Sequence, residues 1–166
     1  MKLSDIKAGE KVFVDSNIFI YHFTGVSKEC LDFFKRCEAK DILAITGTMI
    51  IAEVCHRLMI AEAISRGFIS AAKPVLQLQK KPALVKQLHE YYVQITNITG
   101  LGITVINTPE SIITESQVYR TRFGLLTNDS FVPVYMKTAD TDILVTIHDK
   151  IFGQIPNIHI YAPSDI

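Results

Sequence analysis

At 166 residues the chain has single-domain length and is long enough to bury a core. Its hydrophobic fraction of 48% and charged fraction of 20% exclude a disordered polymer, and no apolar run approaches the roughly 20 residues that span a bilayer. A net charge of zero excludes a protein that coats nucleic acid through bulk charge alone. The first residues, Met1 to Asp5, lack the continuous apolar stretch of a secretory signal, so a cytoplasmic protein is expected. Cys30, Cys37 and Cys55 are odd in number and have no CxxC spacing, which favours reduced thiols over a zinc site.

Lys11-Val12-Phe13-Val14 reads as a short strand ending at Asp15, with Ile18 to Tyr21 following as a short helix. Ser27 suits an N-cap for a helix through about Ala39, with Leu31, Phe33 and Phe34 as its apolar residues. Ile42 to Ile45 reads as a buried strand. Thr46 or Thr48 then caps a helix through Ala61 whose inward face is Ile50, Ile51, Val54, Leu58 and Met59. From Ile69 to Thr99 the pattern is helical, broken at Pro74 and Pro82, both acceptable at helix starts. Ile103 to Ile106 is a third strand. Thr108-Pro109-Glu110 signals a helix to about Phe123, stopped by Gly124. Asn128 or Asp129 opens another helix, Asp142 to Thr146 is a fourth strand, and Ile158 to Tyr161 adds an edge strand. Strands alternating with helices predict a parallel sheet covered on both faces, whose ligands bind beyond the carboxyl ends of the strands.

Charge is uneven along this pattern. Between Arg57 and Glu90 lie six basic residues (Arg57, Arg66, Lys73, Lys80, Lys81, Lys86) against two acids, Glu62 and Glu90. Lys80, Lys81 and Lys86 are therefore candidate phosphate-binding residues, with a solvated helical face as the plainer alternative.

Four acids occupy positions where an α/β domain keeps its chemistry. Asp15 ends the first strand, and Glu53 interrupts the apolar run Met49 to Val54. A buried carboxylate there must bind metal or pair with an ion, and Arg57, four residues on, is an available partner. Asp129 opens a helix and Asp149 follows a strand. Singly each has a plain reading as a cap, an ion pair or a loop acid. Together they put carboxylates on one edge of the sheet, where a hard divalent cation relieves their repulsion and suits oxygen ligands.

In this setting Val12-Phe13-Val14-Asp15-Ser16-Asn17-Ile18-Phe19-Ile20-Tyr21 resembles the opening strand and turn of the PIN-domain nucleases. Thr48 to Val54 resembles their second motif, Gly124 to Asp129 the approach to their third acid, and Leu144 to Phe152 their closing strand and fourth acid. The set appears in the family's order over residues 11 to 152, and is most similar to the VapC-type ribonuclease toxins.

That resemblance implies a Rossmann-like α/β/α fold with a central parallel sheet of 4–5 strands. It implies a single PIN-like domain over residues 1–166, with a helical segment at about 60–100. It also implies Mg²⁺- or Mn²⁺-dependent hydrolysis of RNA, a homodimer and an antitoxin partner, with no membrane involvement. Asp15, Glu53, Asp129 and Asp149 match the family's catalytic, metal-binding quartet, and Asn17 and Thr146 match supporting polar positions. The helical region after Glu53 is longer than in compact toxins. The segment Ser130 to Tyr135 is less alanine-rich than usual, so Asp140 and Asp142 remain alternatives to Asp149.

Two rivals carry less. In a non-catalytic PIN-fold module that binds RNA or protein, the acids would serve as caps and ion pairs. A phosphotransfer domain of the haloacid dehalogenase type would need a second Asp where Asn17 stands. No glycine-rich loop for cradling phosphate is evident.

Overall fold

In the computed structural model, which describes residues 1–166, five strands form one all-parallel sheet. They are β1 (Lys11–Val14), β2 (Leu43–Gly47), β3 (Thr104–Ile106), β4 (Ile143–Val145) and β5 (His159–Tyr161), in the spatial order β3-β2-β1-β4-β5. Phe13 pairs with Ile45 on one side and Leu144 on the other, which makes β1 central.

Alternation along β1 sorts the core into two layers. Val12 and Val14 face a cluster with Ile18, Phe19, Phe33, Phe34 and Val54, drawn from α1 (Ser16–Phe23), α2 (Lys28–Glu38) and α3 (Thr48–Ser65). Phe13 faces the other way, onto Phe131, Val134, Tyr135 and Phe152. Helices on both faces of a parallel sheet make the three-layer α/β/α arrangement expected from the sequence.

The helical segment is a third unit. It comprises α4 (Pro74–Gln79), α5 (Pro82–Val85) and α6 (Glu90–Thr96), and both prolines sit at helix starts as expected. A small cluster of Ala63, Ile69, Leu78 and Leu88 ties the first two to the end of α3. The chain then passes through α7 (Ile112–Glu115), α8 (Gln117–Phe123), α9 (Thr127–Ala139) and α10 (Asp149–Phe152). No helix is long and apolar enough to cross a membrane.

Several local expectations change for physical reasons. Gly47, not a threonine, is the N-cap of α3; Thr46 spends its hydroxyl on the Val14 carbonyl and Thr48 spends its own on Thr108. Leu31 is exposed, and the buried face of α2 is Cys30, Phe33, Phe34 and Cys37. The helix expected from Thr108 begins only at Ile112 and breaks at Ser116, whose hydroxyl bonds the Ile113 carbonyl and receives Arg120. Leu126 caps α9, which leaves Asp129 in the first turn with its carboxylate free of capping duty. Ser27 caps α2 as expected, accepting the Cys30 N–H at 3.0 Å.

Candidate active site at the carboxyl edge of the sheet

Asp15 follows β1 directly and is almost fully buried. One carboxylate oxygen accepts the Ser16 N–H at 2.7 Å, which caps α1, and the other accepts the Thr146 hydroxyl at 2.7 Å. Thr146 lies just beyond β4, so Asp15 is held by the two central strands. Two short bonds to the charged form repay much of the cost of burying it.

Glu53 enters from α3 and Asp129 from α9, both half-buried. Burial pushes the Glu53 carboxyl above the ordinary carboxylate range, with the charges of Asp15 and Asp129 adding to the rise and Ser16 and Arg57 opposing it. The Asp129 carboxyl is raised by burial and by Asp15, against a lowering influence from His148. Three acids from three elements thus share one electrostatic field at the carboxyl edge of the sheet, where parallel α/β domains place ligands. The helices are also joined mechanically. The buried Tyr135 of α9 accepts the Met49 N–H of α3 through its hydroxyl at 3.2 Å and bonds Thr108 at 2.6 Å. Its ring lies against Gly47, where any Cβ would collide with it.

Asp149 stands apart. It is exposed, its carboxylate accepts the N–H of Lys150, and it is not among the charges that shift Glu53 or Asp129. Asp140 and Asp142 precede β4 and so lie at the opposite edge of the sheet. There Lys11 at the start of β1 reaches the Ala139 and Asp140 carbonyls, and Thr141 donates to the Lys11 carbonyl. Neither can join the cluster around Asp15.

Asn17 is hydrogen-bonded between Arg57 and His148. Lys80, Lys81 and Lys86 are exposed on the α4–α5 segment and form no ion pair. His148 carries no motif of its own in the sequence. The available signal was its place between Thr146 and Asp149. Tyr135 is silent in the sequence too, since a core tyrosine gives no sign of what its hydroxyl meets.

No family model matches the chain, and no curated protein sequence matches it. Solved structures do. One is VapBC2 from Rickettsia felis, bound to a DNA fragment from its promoter: 14% identity, 92% of this chain and 98% of that chain covered, TM-score 0.54. Another is Mycobacterium tuberculosis VapC20, described as a Sarcin-Ricin loop cleaving toxin: 7% identity, 86% and 93% covered, TM-score 0.55. The chain has the PIN-type fold of the VapC toxins.

Within a PIN-type fold the acids are the residues suited to a cation. Carboxylates that raise one another's proton affinity fit a divalent ion, which adds opposing charge beyond that of Arg57 and His148. No three His, Cys, Asp or Glu side chains lie close enough to form a closed cage as they stand. A cation here would have to draw Glu53 and Asp129 in toward the fixed Asp15.

Proposed function

We propose that this chain is a divalent-metal-dependent endoribonuclease. The observation that supports it is the shared field of Asp15, Glu53 and Asp129 at the carboxyl edge, with two of the three carboxyls raised. Mg²⁺ or Mn²⁺, when bound, supplies charge neutralisation and lowers the pKa of water.

The chain's own residues have distinct duties. Asp15, gripped by Ser16 and Thr146, is the rigid ligand. Asp129 is the second ligand. Glu53, with its raised carboxyl, is suited to complete the metal site or to orient the attacking water at a side-chain oxygen. Asp149, exposed at the start of α10, acts at the rim. Asn17 and Thr146 hold the frame, and Lys80, Lys81 and Lys86 contact phosphates outside the cleft.

On the same reading the chain works with an antitoxin partner and as a homodimer. The Rickettsia felis VapBC2 assembly supports the first at the level of fold. Light scattering with and without the product of a neighbouring small gene tests both.

The deciding experiment incubates purified protein with pooled RNA and Mg²⁺ or Mn²⁺, with and without chelator. Cleavage that stops with chelator is expected. Cleavage that ignores chelator overturns the metal requirement, and no cleavage across varied RNAs leaves a PIN-fold binding module.

A further inference from the structure

A string of hydrogen bonds starts at Asp15 and fixes the tautomer of one further side chain. The Thr146 hydroxyl donates to Asp15 at 2.7 Å and receives the His148 backbone N–H at 3.1 Å. The His148 ring meets the Asn17 amide through Nε2 at 2.9 Å, and the Asn17 amide oxygen receives Arg57 Nη1 at 2.6 Å. The same Arg57 nitrogen stays 3.8 Å from Glu53. Arg57 is thus committed to Asn17 more closely than to the acid four residues before it.

The donor inventory leaves one solution for this string. A guanidinium only donates, so the Asn17 atom facing Arg57 must be its oxygen. The amide nitrogen then faces His148, and it too only donates. His148 Nε2 must therefore accept, and the proton of the neutral ring sits on Nδ1. Nδ1 has no partner within the chain, yet it is not among the buried polar atoms left without one, so it remains open to solvent.

We propose that Arg57 and Asn17 form a tautomer lock, and that His148 presents its Nδ1–H to a non-bridging oxygen of the RNA phosphodiester. The contact rests on the nuclease reading; the lock does not. Arg57 and Asn17 are positioning residues in this scheme, acting only through His148.

The lock is read by long-range ¹⁵N–¹H correlation of the histidine ring in the free full-length protein near pH 8, above the ordinary histidine range. The wild type is expected to show the Nδ1–H form at His148. Asn17→Asp puts a carboxylate oxygen against Nε2 and should invert the ring to the Nε2–H form. Arg57→Ala frees the amide to turn and should give a mixture, which Arg57→Lys, another pure donor, restores toward Nδ1–H. A wild-type ring protonated on Nε2, or a tautomer unmoved by Asn17→Asp, overturns the lock.

The phosphate contact is read separately, as affinity for a non-cleavable 2′-O-methyl RNA oligonucleotide. His148→Ala should weaken binding about tenfold, the usual size for a hydrogen bond to a charged group. His148→Asn, whose amide N–H falls near the Nδ1 position, should keep most of it. Equal affinity for wild type and His148→Ala overturns the contact. Loss of cleavage in the wild type with the lock intact overturns the nuclease reading alone.

Discussion

Glu53 and Glu62 stand on the same helix, α3, and meet opposite fates. Glu62 is nearly sealed from solvent, and its carboxylate accepts the backbone N–H groups of His89 and Tyr91 at 3.0 Å and the Arg66 guanidinium at 3.3 Å. Burial alone would raise its carboxyl, but the Tyr91, His89 and Glu90 amides together with Arg66 hold it below the ordinary range. Glu53 is more open, has only a loose ion pair at 3.8 Å, and is raised by burial and by its acidic neighbours. A carboxylate that the chain satisfies belongs to the structure. One that the chain crowds with like charge is held for something that arrives from outside.

The largest break in that contrast should come from Asp15→Asn. Removing the fixed ligand is expected to lower RNA cleavage by about 10³-fold, since metal centres supply several kcal/mol of charge stabilisation. Single-turnover rates measure this. Asp149→Asn should cost less than Asp15→Asn, and Asp140→Asn and Asp142→Asn should leave the rate alone. An equal loss at Asp149 would put it inside the cluster after all. Asp15→Asn should also cost stability, because it removes the charge from the α1 cap and the Thr146 bond.

Glu62→Gln is expected to reverse the pattern. It turns an amide N–H₂ toward backbone donors and removes the buried charge that Arg66 and those donors meet, at about 2 kcal/mol in urea unfolding. The folded fraction should cleave RNA at the normal rate. A rate loss matching that of Asp15→Asn would place Glu62 in the machinery.

The two glutamates also predict opposite pH effects. A depressed carboxyl contributes stability that is present above the ordinary carboxylate range and is lost as pH falls through its folded value. A raised carboxyl costs stability that appears as pH climbs from the ordinary range into the raised one, and the cost is absent in acid. Without metal, Glu53→Gln and Asp129→Asn should therefore raise Tm near neutrality by roughly 2–4 °C per kcal/mol relieved, with the gain vanishing toward pH 4. Thermal melts across pH in chelator follow this. Adding Mn²⁺ should raise the wild-type Tm more than that of either variant. A gain that persists in acid would mean that the shared field is not the cause.

The smallest effect belongs to the exposed lysines. Neutralising Lys80, Lys81 and Lys86 together should flatten the log–log salt dependence of RNA binding by about 2, at about 0.7 per phosphate contact on a single strand. An unchanged slope returns them to a solvated face.

The fold was legible because parallel strands buried on both sides leave apolar runs of strand length, and because Ser27, Pro74 and Pro82 carry local rules that hold in place. The edge where Asp15, Glu53 and Asp129 meet followed from strand direction alone. Less legible was anything that depended on the destination of a hydroxyl or an amide. Thr46 and Thr48 are both chemically fit to cap α3, and only the distant Val14 and Thr108 decide that neither does. Arg57 reads as the helical partner of Glu53, yet its shortest bond crosses to Asn17, forty residues earlier in the chain. Sequence spacing sees neighbours on one helix. It does not see partners supplied by other elements.

Gly47 and Tyr135 carry a consequence for how such a chain can change over generations. The ring of Tyr135 fills the space where a side chain at position 47 would stand, and its hydroxyl holds the first turn of α3. The helix that delivers Asp129 is thereby hinged to the helix that delivers Glu53 at one shared point. A larger residue at 47 has no neutral route in: it must displace the ring, and with it the relative pose of two acids. The tolerated paths are those in which position 135 shrinks first, so the two sites are expected to covary in descendants while the acids themselves stay constant.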